Sequence, residues 1–422
     1  MKTEADKVSP SSVSDKTMES SDQVPSRNSW WFTLVLIYFV FDYARPQEVI
    51  PGLSYLRPTL VLTVLLCCCL LLSGKLKRSG SPQTTMILIL LVLMAAFVPF
   101  ARNNYLAFQT TKTMFSMLPF VLSLIICIDS MDRLRTFINV GAGILIYVSA
   151  YSIIHGGVGP GNYLVDENDL ALYINMWIPI SFFAILYEKN IKTKILHCVA
   201  TMTGLASVVL SFSRGGFVGL LAMLGTLFIL SKKKLLTILF LCFMGLMVFA
   251  VADTRYWTEM ATITNTSEST ARERILSWQA AWDMFVDQPL GVGPNNFQVW
   301  FPQYQSSELR RGMWGRVAHS LWFTLLAELG VIGVILYITL VFYNFHDISQ
   351  LKNTSKKYDS QDMIHIYSLS LAFYCSLVGF FAAATFLSVL YYPHFFYVTA
   401  MIVATKKILQ SHSKTSGIVV HT

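Results

Sequence analysis

The side chains best suited to chemistry in this chain are a few arginines, one histidine and a pair of aspartates. Arg214 stands in Ser211-Phe212-Ser213-Arg214-Gly215-Gly216, a turn of small residues between two apolar stretches. A guanidinium in an apolar setting is costly unless an anion meets it, and small neighbours allow close approach. Arg272, Arg274 and Arg316 lie on one long polar segment, 252–317, and His319 follows in Ala318-His319-Ser320 as the chain turns apolar again. Asp166 and Asp169, in Val165-Asp166-Glu167-Asn168-Asp169-Leu170-Ala171, head another apolar stretch. Arginine grips phosphate or carboxylate through a planar fork, and histidine is the side chain whose ordinary pKa lies near neutrality. The arginines therefore point to a phosphate-bearing ligand. Each residue also has a plainer reading: a structural ion pair for Arg214, an interfacial position for His319, and helix capping for the aspartates.

The elements that must hold these residues are set by composition. Of 422 residues, 54% are hydrophobic and 13% charged, and mean hydropathy is +0.53. Soluble domains carry about 25% charged residues, so a cytosolic enzyme, a disordered chain and a nucleic-acid binder are excluded despite the net charge of +8. The apolar residues come in blocks long enough to cross a hydrocarbon core about 30 Å thick. Twelve spans are expected, at 30–42, 58–73, 85–101, 113–128, 136–155, 168–187, 195–212, 215–230, 235–252, 317–345, 364–384 and 387–405. The domain plan is a disordered cytoplasmic tail (1–29), spans one to nine (30–252), an outward catalytic loop (253–316), spans ten to twelve (317–405) and a second cytoplasmic tail (406–422). The first apolar block lacks the flanks of a cleaved signal and reads as a retained anchor. The seven cysteines fall in or beside apolar blocks, so no disulfide framework or zinc site is expected.

Basic residues orient the bundle. With the amino terminus in the cytoplasm, 21 Lys and Arg fall inside and 11 outside. Inside are 17 Lys and 4 Arg; outside are 10 Arg and the single Lys112. Lysine suits topology and headgroups, whereas an outward face furnished with arginine again suits phosphate.

The outward segment 252–317 is long enough to carry structure and function of its own. Ser267, Ser269 or Thr270 is placed to cap a helix over 271–287, which Pro289, Gly291, Gly293 and Pro294 end. On it Arg274, Trp278, Ala281, Trp282 and Phe285 share a face, while Arg272 lies about 200° away. The aromatics are expected to pack on the bundle or in the interface belt, and Glu328 to pair inside the bundle.

In order and spacing, these segments resemble the O-antigen ligase/polymerase family of bacterial membrane glycosyltransferases. The residues that carry the resemblance are Ser213-Arg214-Gly215-Gly216, then Arg274…Trp278…Ala281…Met284 leading into Pro289-Leu290-Gly291-Val292-Gly293-Pro294-Asn295-Asn296-Phe297, then Ala318-His319-Ser320 and Glu328-Leu329-Gly330-Val331-Ile332-Gly333. Asp166-Glu167-Asn168-Asp169-Leu170-Ala171 and Asp42-Tyr43-Ala44-Arg45-Pro46-Gln47 look like further signatures. The resemblance implies an all-α integral membrane protein, GT-C-like, with a long periplasmic helical loop between spans nine and ten. It implies an inverting, metal-independent transfer with no cofactor, on the periplasmic side of the inner membrane. The donor would be an undecaprenyl-diphosphate-linked glycan; the acceptor, a lipid A core for a ligase or a lipid-linked repeat unit for a polymerase. His319, Arg214 and Arg274 take the catalytic positions, with Arg272, Arg316, Asp166 and Asp169 as candidate substrate-binding residues. The rival class is a secondary transporter, but its long loop would sit between spans six and seven on the cytoplasmic side, and ionisable residues at mid-membrane depth are nearly absent here apart from Glu328.

Overall fold

The computed structural model describes residues 29–231, 234–251, 254, 269–305, 315–358 and 360–415. The expected amino-terminal tail, the stretch from 416 onward and the loop portions 255–268 and 306–314 lie outside the described residues. No strand occurs among the described residues. The helices of eight residues or more are α1 (Ser29–Tyr43), α2 (Pro58–Ser73), α3 (Pro82–Phe97), α4 (Asn104–Cys127), α5 (Met131–Ile154), α6 (Glu167–Tyr187), α7 (Ile191–Leu210), α8 (Arg214–Leu230), α9 (Lys234–Val251), α10 (Ser269–Asp287), α11 (Phe297–Tyr304), α12 (Leu321–Ser355), α13 (Gln361–Ala384) and α14 (Pro393–Thr415). Among the described residues, seven helical stretches are long and apolar enough to cross a membrane, and α1, α3 and α8 are shorter apolar helices. The chain is a multi-pass, all-helical membrane protein.

Side chains satisfy the open N–H groups at helix starts, as a low-dielectric setting demands. Ser130, Asp166, Asn190, Ser213 and Ser360 cap α5, α6, α7, α8 and α13. The core sits around α6 and α13, which pack on each other and both on α8. Their close approach depends on Gly216, where a Cβ would lie 2.4 Å from the Cβ of Ala171. Buried Asn175 of α6 then donates to the Gly216 carbonyl at 2.7 Å. The second glycine of Ser-Arg-Gly-Gly is thus a packing residue.

Helix α10 begins at Ser269 and ends at Asp287, close to the expected 271–287. Its buried face is Ser277, Ala280, Ala281 and Met284, packed with Val292, Phe297, Phe301, Ala318 and Ala327 in a small core of its own. Trp278 stacks on Phe323 of α12 at 5.3 Å. Of the two expectations for the aromatics, packing on the bundle fits Trp278, whereas Trp282 is 52% exposed, which leaves it the interfacial one.

The turn after α10 locks into a break in α12. Gly330 has φ 59° and ψ −162°, so the helical path is interrupted there. Across the break Val292 N–H donates to Ala327 O (3.0 Å), Gly293 N–H to Glu328 O (2.9 Å) and Val331 N–H to Pro289 O (2.9 Å). A Cβ on Gly330 would fall 2.2 Å from the Leu290 carbonyl carbon, and one on Gly291 would fall 2.5 Å from Glu328 O. Backbone meets backbone here only because both residues are glycine.

Gly330→Ala is therefore expected to lower the melting temperature of the detergent-purified protein clearly. The left-handed backbone alone costs about 1–3 kcal/mol, before the clash. Gly225→Ala, on α8 with nothing near its Cβ, serves as the control and should leave the melt unchanged or slightly raised. Equal melts for the two variants would dispose of the interlock.

Candidate functional site

A cavity of about 590 Å³ opens where α4, α6, α10, α11, α12 and the segment 385–392 meet. Four of the residues singled out from the sequence line it: Asp166, Asp169, Arg274 and His319. Arg214, Arg272 and Arg316 do not. Arg272 is exposed while Arg274 is half-buried, as their two-residue spacing on α10 requires. Arg316 pairs with Glu273 of α10 behind the cavity wall. Arg214 opens α8 directly after Ser213, whose hydroxyl donates to Oδ1 of the cavity-lining Asn168 at 2.7 Å. It is thus one residue from a wall residue's contact.

The two aspartates divide their tasks. Asp166 Oδ1 accepts from the N–H groups of Asn168 (2.8 Å) and Asp169 (3.4 Å) and is the cap of α6. Asp169 accepts instead from the Tyr392 hydroxyl, at 2.8 Å on Oδ2. One of the pair is capping equipment; the other is turned to the tyrosine.

His319 is held by the turn that carries it. The indole N–H of Trp278 donates to Ala318 O at 3.0 Å, and His319 itself adopts φ 48°, an uncommon conformation for a non-glycine residue. Burial chiefly, with Arg316 and Arg274 beside it, pushes the imidazole pKa down to about 4 against the opposing pull of Asp166 and Glu273. The ring is neutral at pH 7 and lies in the fields of both the cations and the carboxylates.

Glu328 supplies the floor. It is 2% exposed and accepts from Asn295 N–H (2.7 Å), Phe297 N–H (3.0 Å) and the Tyr391 hydroxyl (2.6 Å). The expected pairing partner is not a cation but a turn of backbone with one phenol. Asn296 continues the clamp: its side chain accepts from Asn103 N–H (2.8 Å) and donates to Asn103 O (3.2 Å), tying the loop to the start of α4. Arg102 adds a cation–π contact 5.0 Å from the Trp300 ring.

Sequence reasoning missed half of this cavity. Gln109, Thr110 and Thr113 of α4, Tyr163, Asn295, Gln298, Tyr391 and Tyr392 all line it. The polar run Gln109-Thr110-Thr111-Lys112-Thr113 within an apolar stretch, and the pair Tyr391-Tyr392 within another, were the available signals.

Fold and cavity together define a membrane protein with a cavity lined by polar groups and charges of both signs. The family model described as O-Antigen ligase matches residues 199–338, which contain Arg214, Arg274, His319, Glu328 and the whole interlocked turn. The suspected membership of the O-antigen ligase family, a family of membrane glycosyltransferase-type enzymes, is supported by that match. No curated protein matches the chain.

The electrostatics of His319 can be checked directly. Histidine NMR signals of ¹⁵N-labelled protein in micelles, assigned by difference from His319→Gln, should show the ring protonating near pH 4. Arg316→Ala removes a cation and frees Glu273, so both changes should move that midpoint upward. An unchanged or lower midpoint would contradict the arrangement.

Proposed function

We propose that this chain transfers a glycan from undecaprenyl diphosphate to an acceptor sugar, and that it acts as a ligase with a lipid A core as the acceptor. The observation that carries the reading is the meeting of Arg274 and His319 in one cavity, inside the segment that matches the ligase family. The chain crosses the bacterial inner membrane twelve times with both termini in the cytoplasm, and the cavity faces the periplasm. Supporting this, the starts of α4 and α6, the 289–319 region and the connection 385–392 are the ends that the basic-residue count assigns to the outside.

The chemistry follows from charge. The acceptor hydroxyl oxygen forms a bond to the anomeric carbon from the face opposite the diphosphate. The bond from that carbon to the diphosphate oxygen breaks, and the electron pair leaves with the diphosphate. Negative charge grows there, so guanidinium groups placed in advance stabilise the transition state more than the bound donor. Arg274 and, from the neighbouring start of α8, Arg214 fill that role. Neutral His319 takes the proton of the attacking hydroxyl or orients it. Its depressed pKa makes it a weak base, so proton transfer comes late, as the new bond forms. The reaction needs no cofactor, and by the family resemblance no metal.

Arg214→Ala, Arg274→Ala and His319→Ala should each lose most transfer activity at normal membrane abundance. A charge-assisted contact to the transition state is worth about 1.5–3 kcal/mol, or roughly 10- to 100-fold in rate. Arg272→Ala, on the exposed side of α10, should be near wild type. Equal loss at Arg272 and Arg274 would break the assignment of the two faces.

Deleting the chain from its host separates the acceptors. Long polymer left on its lipid carrier, with bare acceptor at the cell surface, supports the ligase reading. Surface acceptor carrying one repeat unit assigns polymerisation instead, and unchanged pools return the question to transport.

A further inference from the structure

The lining of the cavity draws on elements of different chemistry. Arg274 and His319 come from α10 and the turn into α12. Lining the same space are Gln109 and Thr113 of α4, Asp169 of α6, Tyr163 and Tyr392. We propose that these five side chains form the subsite that binds and orients the acceptor sugar. The proposal rests on the transferase reading above and deepens it.

Each member presents what a sugar ring requires. Asp169 uses Oδ2 for the Tyr392 hydroxyl at 2.8 Å, and its other oxygen remains available to a sugar hydroxyl, with no other donor among the described residues. The Tyr392 hydroxyl fixes the carboxylate's orientation. Tyr163 and Tyr392 have ring centroids 4.9 Å apart and planes inclined at 54°, an angled apolar pair for the C–H faces of a sugar. On α4, Thr113 donates its hydroxyl proton to Gln109 O at 3.0 Å and Ser116 donates to Thr113 O at 2.7 Å. Their lone pairs are thus left to accept. The Gln109 amide has no hydrogen-bond partner among the described residues and can both donate and accept. Residues 109, 113 and 116 recur at helical spacing, and 113 and 116 are exposed. A membrane helix with a polar stripe exposed is explained by a wet, ligand-bearing cavity rather than by lipid.

Two further arguments separate this group from the donor side. Inverting attack must come from the face opposite the leaving diphosphate, so the acceptor belongs away from the guanidinium. All five residues also lie outside the 199–338 segment matched by the ligase family, whereas Arg214, Arg274 and His319 lie within it. The wall identifies the acceptor; the matched segment handles the diphosphate. A packing role for Asp169 and Tyr392 alone would not explain the unpartnered Gln109 amide.

The test uses full-length protein in nanodiscs, with the host's own lipid-linked glycan as donor and bare glycolipid acceptor purified from a deletion strain. Gln109→Ala, Tyr392→Phe and Asp169→Asn should each raise the acceptor KM by about tenfold while leaving the donor KM within about twofold. Arg274→Ala should show the opposite preference, and Asp169→Glu should partly rescue what Asp169→Asn loses. Gln109→Ala touches no buried contact and keeps the test valid where Asp169→Asn reduces folded yield. Equal rises in both KM values, a fall in kcat alone, or wild-type kinetics in Gln109→Ala and Tyr392→Phe would overturn the subsite. Wild-type protein that transfers nothing between these two substrates would instead overturn the transferase reading beneath it.

Discussion

Glu328 accepts hydrogen bonds from two backbone N–H groups of the loop and from the Tyr391 hydroxyl, and most of the site's geometry follows from that grip. A carboxylate this deeply buried is tolerable only when its oxygens are satisfied. Satisfying it draws residues 295–297 onto α12 and brings the 385–392 connection to the same point. The break at Gly330 opens carbonyls that the turn at 289–293 then closes. Residues 289–297 are consequently held as an extension of α12. Arg274 and His319, on either side of that junction, inherit its rigidity. A site that must stabilise developing charge benefits from groups that do not reorganise during reaction.

The cavity is lined by charge of both signs around one imidazole. Arg274, His319 and the carboxylates of the α6 start all line it, and the ring feels Arg274 and Asp166 together. Burial and cations keep the ring neutral, and the carboxylates hold that depression in check. A ring so placed accepts hydrogen from one neighbour without first carrying a charge that would repel Arg274. The Arg316–Glu273 pair supports the same balance from behind, because it gives Glu273 a partner other than the histidine.

Much of the fold was legible because hydropathy in membrane segments is strong and local. Helices occupy every expected apolar stretch, and α10 begins within two residues of its expected start. Bounds were less clear than the helices themselves: α4 begins at Asn104 rather than 113, and α14 begins at Pro393 rather than 387 and continues through the expected tail to Thr415, since proline favours a helix's first turn. That shift frees Tyr391 and Tyr392 to line the cavity. The site was half legible. Arg274 and His319 stood out because charge and titratability are conspicuous beside apolar residues. Their partners did not, because the Tyr392–Asp169 contact joins residues 223 apart and the Asn296–Asn103 contact joins residues 193 apart. Arg214 was conspicuous for the same reason as Arg274, yet it stands beside the cavity, since helix starts that are near in sequence order need not face the same space.

The division of the cavity also bears on why the choice between ligase and polymerase is hard to make from the chain's motifs. In the proposed reaction a ligase and a polymerase would release the same diphosphate, so both would call on the cations, the neutral histidine and the junction that presents them. These parts fall in one continuous segment, from α8 to the first turns of α12. An acceptor is recognised by hydroxyl geometry, which amides, phenols and carboxylates read in many combinations of similar energy. Such a wall has no fixed spacing to search for. The proposed wall draws on α4, on the connection before α6, on α6 itself and on the connection before α14, so its pattern exists only after folding. On that proposal the acceptor question turns on a surface assembled from distant segments, about which the segment matched by the family is silent.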